Sequence, residues 1–130
     1  MALWQGYQQF YQAQLSERIS DQTWLKLTDE QCTHMYGFAA LINGKAAGIV
    51  HVIEHDSCWS IQPYAYLQDL YTDELYRGQG IARKLIEQVH LYTQERSCDR
   101  VYWLTQQDNA TAQRLYDQIA KKTGFIQYRI

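Results

Sequence analysis

Proline is nearly missing from this chain: Pro63 is the only one in 130 residues, and no proline-rich linker divides the sequence. Cysteine is scarce too. Cys32, Cys58 and Cys98 are odd in number, widely spaced and without a C-x-x-C pair, a pattern that fits reduced thiols in a cytoplasmic protein better than a disulfide framework. Positive charge is not in excess, since 12 Lys and Arg stand against 14 Asp and Glu. A nucleic-acid surface is normally clearly basic, so direct nucleic-acid binding is not expected, whereas a cationic substrate is permitted. No apolar run is long enough to span a bilayer, so no membrane partner is expected. The opening "MALWQGYQQFYQAQLS" has no basic region ahead of an apolar run, as a secretory signal would. With no repeat or low-complexity tract, residues 1–130 read as one domain large enough for a real core.

What the chain does contain is regular periodicity. Leu3, Trp4, Tyr7, Phe10, Tyr11 and Leu15 recur at helical spacing between Ala2 and Ser16. Asp21 is a suitable cap for a second helix with Trp24, Leu25 and Leu27 facing inward. Two apolar runs, Met35–Ile42 and Lys45–Glu54, flank Asn43-Gly44, the strongest short hairpin signal. "YAYLQDLYT", Tyr64 to Thr72, reads as a third strand. Ile81 to about Arg96 reads as a helix with Ala82, Leu85, Ile86, Val89 and Tyr92 on one face. "RVYWLT" from Arg100 is a short strand. Asp108 or Asn109 caps a helix running to about Ala120 with Ala112, Leu115, Tyr116 and Ile119 inward, and "FIQYRI" is a terminal strand. The order helix, helix, hairpin, strand, helix, strand, helix, strand predicts an α/β fold of the mixed-sheet kind rather than a regularly alternating parallel sheet.

The stretch "DELYRGQGIARKLIEQ" places Gly78 and Gly80 at the mouth of the long helix. A nucleotide P-loop would need lysine then serine or threonine after its last glycine, and Ile81 follows here. A dinucleotide fingerprint would need glycine or alanine where Arg83 stands. The run Arg77-Gly78-Gln79-Gly80-Ile81-Ala82 instead resembles the R/Q-x-x-G-x-G/A signature of the GCN5-related N-acetyltransferases (GNAT). It lies, as in that family, between a strand ending "DLYTDE" and an amphipathic helix. The downstream segment "LTQQDNATAQRLYDQIAKKTGF" resembles the family's second coenzyme-binding segment. Its wording is most similar to small enzymes related to histone and polyamine acetyltransferases.

The resemblance implies a central mixed, largely antiparallel sheet with helices on both faces, and acetyl-coenzyme A as acyl donor with no metal. It implies that the amides of Gly78, Gln79, Gly80, Ile81 and Ala82 bind the coenzyme's diphosphate at the positive end of a helix dipole. Arg77, Arg83 and Lys84 would add charge there. Backbone groups of Leu70, Tyr71 and Thr72 would bind the pantetheine arm, and one of their amides would serve the thioester oxygen. Asn109 would bond the arm, with Ala112 one turn on, and Tyr116, seven residues past Asn109 on the same helical face, would protonate the departing thiolate. Asp69, or failing it Glu54, is the candidate for taking the amine's proton or attracting a cationic acceptor. His51 and His55 near Glu54 lack a compact third ligand and are expected to bind no metal. Trp103, Tyr64 and Tyr66 are pocket-lining or core residues.

Polyamine, aminoglycoside, amino acid and lysine side chain all stay open as the acceptor. A non-catalytic acyl-coenzyme A-binding module or an interaction protein of the same architecture is the alternative. The resemblance leaves the family's usual first strand missing or truncated ahead of the first helix, and one strand rather than two after the last, as in a trimmed chain or in a sheet whose edges pair with another subunit. Unpaired sheet edges invite strand addition, so a homodimer is expected.

Overall fold

The computed structural model describes residues 2–11 and 13–130. Asn43 and Gly44 both take positive φ, 50° and 77°, and join β1 (Met35–Ile42) to β2 (Lys45–His55) as the Asn-Gly dipeptide predicts. β3 (Tyr64–Thr72) adds antiparallel to β2. β4 (Arg100–Tyr102) adds parallel to β3, so the sheet is mixed, in the order β1-β2-β3-β4. The helices are α1 (Ala2–Phe10), α2 (Glu17–Thr28), α3 (Ile81–Glu95) and α4 (Ala110–Ile119), with a 3-10 turn at Glu74–Tyr76.

Strand alternation explains where the core sits. Val50 and Val52 of β2 and Ala65 and Leu67 of β3 point to one face, where Ile81, Leu85, Ile86 and Val89 of α3 cover them. Burying side chains of this size contributes about 1.5–3 kcal/mol each. The intervening residues of β2 and β3 point to the other face, against α1. Gly6 lets that helix lie close, since a Cβ there would come within 2.8 Å of Tyr71 Oη.

Several sequence expectations need correction. The first helix stops at Phe10, not Ser16; Gln12, inside the expected span, lies outside the described residues. Beyond Phe10 the chain turns: Ala13 N–H reaches Gln8 O at 2.8 Å, and the buried Gln8 side chain accepts the Leu15 amide at 2.8 Å. The second helix is capped by Ser16, whose hydroxyl accepts from Ile19 N–H, rather than by Asp21. Its inward residue is Ser20, bonded by Trp4 Nε1 at 3.1 Å, and Trp24 and Leu25 are exposed. β4 keeps only three of the six residues expected of it. "FIQYRI" forms no strand, and Phe125, Ile126, Tyr128 and Ile130 are exposed. A strand is stable only with a ladder partner, and β4 is too short to offer one there.

Candidate active site

Gly78 and Gly80 both sit at φ 77°, a left-handed conformation that side chains rarely adopt, and Gly80 is the N-cap of α3. Glycine is needed here for backbone shape, not for room, because a Cβ at either position would meet nothing within 4 Å. Among the described residues no acceptor closes on the N–H groups of Gly78, Gln79 or Gly80. Those of Ile81, Ala82 and Arg83 belong to the first helical turn and have no intrahelical partner; the ladder begins with Lys84 N–H to Gly80 O at 3.1 Å. Six consecutive amides are therefore open at the positive end of a 15-residue helix, a ready site for an anion.

Beside this turn the sheet splits. β3 and β4 pair only from Tyr64–Tyr66 to Arg100–Tyr102. Beyond that, Leu67 to Thr72 has β2 on one side and an open edge on the other. Asp73 N–H goes to Ala47 O on β2 at 2.8 Å, whereas Thr72 O turns away to Arg77 Nε at 3.2 Å. Backbone groups alternate sides along a strand, so Leu70, like Thr72, aims its N–H and C=O at the open edge, and Tyr71 aims its own at β2.

α4 borders the same opening. Asn109 caps it, with Oδ1 accepting from Ala112 N–H at 3.3 Å, which leaves the side-chain nitrogen and a second oxygen lone pair for other partners. Tyr116 packs edge-on against Trp103, 5.3 Å between ring centres. Burial, and then the neighbouring Tyr11, hold its phenol above the ordinary value, so the proton stays on. Arg83 reaches across to Gln118 Oε1 at 2.5 Å and ties α3 to α4.

A cavity of about 290 Å³ opens on the α1 face of the sheet, lined by Trp4 and Tyr7 of α1, Tyr11 just past its end, residues of α2, and Gln68 and Asp69 of β3. Asp69 Oδ2 accepts from His51 Nδ1 at 3.0 Å, since a carboxylate can only accept. The side chains of His51 and Asp69 are 13 % and 14 % exposed. Trp4 lies against the imidazole at 5.3 Å and stacks on Tyr7 at 5.7 Å. Burial, and then the Asp69 charge, keep Tyr7 protonated.

Not every sequence candidate joins this constellation. Glu54 shares a face of β2 with Val50 and Val52, opposite His51 and Asp69, and is held by Arg96 through Nε at 2.7 Å and Nη2 at 3.1 Å. It is a buried ion-pair partner away from the cavity. The Arg77 guanidinium bends back over Phe10 and Tyr71, 5.7 Å from each ring, rather than over the glycine turn. His55 bonds Tyr102 Oη at 2.7 Å and is separate from His51. Tyr66 stacks on Tyr102 at 5.1 Å. The sequence marks His51 only as a histidine without a metal-ligand set; its partnership with Asp69 depends on the register of β2 against β3.

Among the described residues no group of three or more His, Cys, Asp or Glu is placed to hold a metal ion, and no helix is long and apolar enough to cross a membrane. A family model described as the acetyltransferase (GNAT) family matches residues 2–121. The D-amino-acid N-acetyltransferase HPA3 of Saccharomyces cerevisiae is 33% identical over 129 residues, covering 98% of this chain and 80% of that protein. In structure the chain is similar to ribosomal-protein-alanine N-acetyltransferase from Brucella melitensis biovar Abortus 2308. The TM-score is 0.77 at 22% identity, covering 99% of this chain and 87% of that one. Aminoglycoside N-acetyltransferase AAC(6')-Iy in complex with CoA gives a TM-score of 0.80 at 20% identity, covering 99% of this chain and 86% of the other.

Proposed function

The chain belongs to the acetyltransferase (GNAT) family, and from that premise we propose that residues 1–130 act as one domain that transfers acetyl from acetyl-coenzyme A to the primary amine of a cationic acceptor. The observation that carries this is the run of six open amides from Gly78 to Arg83 at the head of α3. Such a cradle suits the coenzyme's diphosphate, because its donors are fixed before binding and glycine keeps side chains out of the way. Leu70 and Thr72 would hold the pantetheine arm by strand-like bonds at the open edge of β3, with the Asn109 side-chain nitrogen and Ala112 on the other wall.

Acetyl-coenzyme A supplies the activated thioester; the remaining tasks fall to this chain. An alkyl ammonium loses its proton near pH ~10, so at neutral pH a proton must be removed before the nitrogen can attack. Asp69, at the cavity wall, attracts the ammonium and receives that proton. The Leu70 N–H, facing the open edge, serves the carbonyl oxygen as its charge grows. Tyr116 Oη holds the proton that the leaving sulfur takes up.

The acceptor class follows from the cavity wall. Trp4, Tyr7 and Tyr11 offer ring faces and Asp69 a negative charge, and the described lining contains no Lys or Arg. The name of the yeast relative makes amino acids one class to test, yet an α-carboxylate would meet Asp69 without a counter-ion. In a panel followed by thiol release, diamines and arylalkylamines are expected to exceed free amino acids by about tenfold or more in kcat/KM. Acetyl-coenzyme A at 100 times its Kd is expected to stabilise the chain by about 2.7 kcal/mol in a thermal shift. Stabilisation without thiol release from any amine would mark a binding module, and neither effect would mark an interaction protein.

A homodimer is part of the same proposal. It is supported by the exposed run Phe125–Ile130, a segment with strand composition and no ladder. Sedimentation at micromolar concentration is expected to give the dimer mass with and without coenzyme; a monomer in both would remove it.

A further inference from the structure

The pair His51–Asp69 has more to say than its contact distance. Asp69 is the one charged side chain in the described lining of the cavity, and its carboxylate is bonded at 3.0 Å to a group that ordinarily changes charge between pH 5 and 8. Among the described residues, every other titratable group facing Asp69 is a phenol. α1 contributes Tyr7, the turn after it Tyr11, and β3 contributes Tyr66, all held above the ordinary phenol value, by burial first and with the Asp69 charge adding to it. α2 presents Ile19 and Thr23 to the cavity, β1 presents Met35, and Gly37 of β1 lies beside the imidazole. None of these carries charge near neutral pH.

We propose that His51 is a positioning residue that sets the charge of the acceptor site: neutral, it steadies Asp69 as a full negative charge for a cationic amine; protonated, it cancels that charge and releases the amine. This deepens the transferase reading above and rests on the Asp69 cavity being its acceptor site. With His51 neutral, the Nδ1–H holds the carboxylate in one orientation and the site carries one net negative charge. With His51 protonated the pair is an internal ion pair with no net charge, and an arriving ammonium meets a cation beside its counter-ion. The sign is therefore fixed: affinity for a cation falls as the pH falls. The cavity's aromatic rings remain, so a residual affinity persists at low pH.

The test uses the whole chain with coenzyme A bound, which lacks the acetyl group and so permits no turnover. The probe is 1,4-diaminobutane, protonated throughout pH 5–8. By calorimetry its Kd is expected to rise about tenfold or more from pH 8 to pH 5. His51→Asn keeps a hydrogen-bond donor near Asp69 but cannot become charged. It is expected to bind as tightly as the parent at pH 8 and to change by less than about threefold at pH 5. Asp69→Asn is expected to bind weakly at both. A full pH dependence surviving in His51→Asn, or a flat profile in the parent, overturns the inference. Should His51→Asn fold poorly, the imidazole nitrogen shifts of the unmodified chain decide: their titration midpoint must match that of the Kd within about half a unit. Thiol release at pH 8 is scored separately. A chain that turns over amines but binds the diamine equally at both pH values keeps the transferase reading and loses this one.

Discussion

Tyr116→Phe is expected to lower kcat by about 10²–10³-fold while leaving the Kd for acetyl-coenzyme A within about twofold. The substitution removes one oxygen and little else. Phenylalanine retains the edge-on packing against Trp103 at 5.3 Å and the half-buried place of the ring between α4 and the sheet. A larger truncation would open a cavity and mix packing loss with chemistry. Burial stabilises the neutral phenol, with Tyr11 adding in the same sense, so Tyr116 keeps its proton at neutral pH and can donate it. The kinetic signature is a split: kcat falls, coenzyme binding does not. Equal turnover in steady state and in a single-turnover burst would take Tyr116 out of the proton path.

Much of this architecture is written in short-range signals. Asn43-Gly44 fixes the hairpin, the spacing of Leu85, Ile86 and Val89 fixes the buried face of α3, and Asn109 caps α4 as an asparagine should. Gly78 and Gly80 take the positive φ that their placement before a helix implies. The cavity at Asp69 is less legible because it depends on one irregular residue. Ala65 and Leu67 point into the α3 core, and strict alternation would send Asp69 after them. Instead β3 carries a bulge: Leu67 pairs with Val52 but Asp69 pairs with His51, leaving Gln68 extra. That single residue turns Asp69 to the α1 face and puts Leu70 on the core side. Glu54 illustrates the reverse case. It continues the inward series of Val50 and Val52, so simple alternation would have placed it in the core, beside the arginine it needs. "FIQYRI" has strand composition, but a strand needs a neighbour, and composition alone does not supply one.

The buried pair on the far side of the sheet carries the largest stability effect. The Glu54 side chain is 6 % exposed and receives both Nε and Nη2 of Arg96, which also donates to Thr33 O at 3.0 Å. The guanidinium lies over Tyr36 and Tyr92 at 5.6 and 5.5 Å, so it is packed as well as paired. Arg96→Leu strands a buried carboxylate without the two nitrogens that hold it, although the arginine side chain itself is 31 % exposed. The expected cost is about 3–5 kcal/mol, which would lower Tm by roughly 10 °C or more for a chain of this size. The double variant Glu54→Leu with Arg96→Leu removes the stranded charge along with its partner and is expected to recover most of the loss. If the single variant loses less than ~1 kcal/mol, or the double variant is no better than the single, the pair is not a closed buried unit. The same double variant settles which carboxylate serves the amine. A base at Glu54 would cost ~10²-fold or more in kcat on its removal, whereas a structural Glu54 leaves kcat at 20 °C nearly unchanged and the role with Asp69.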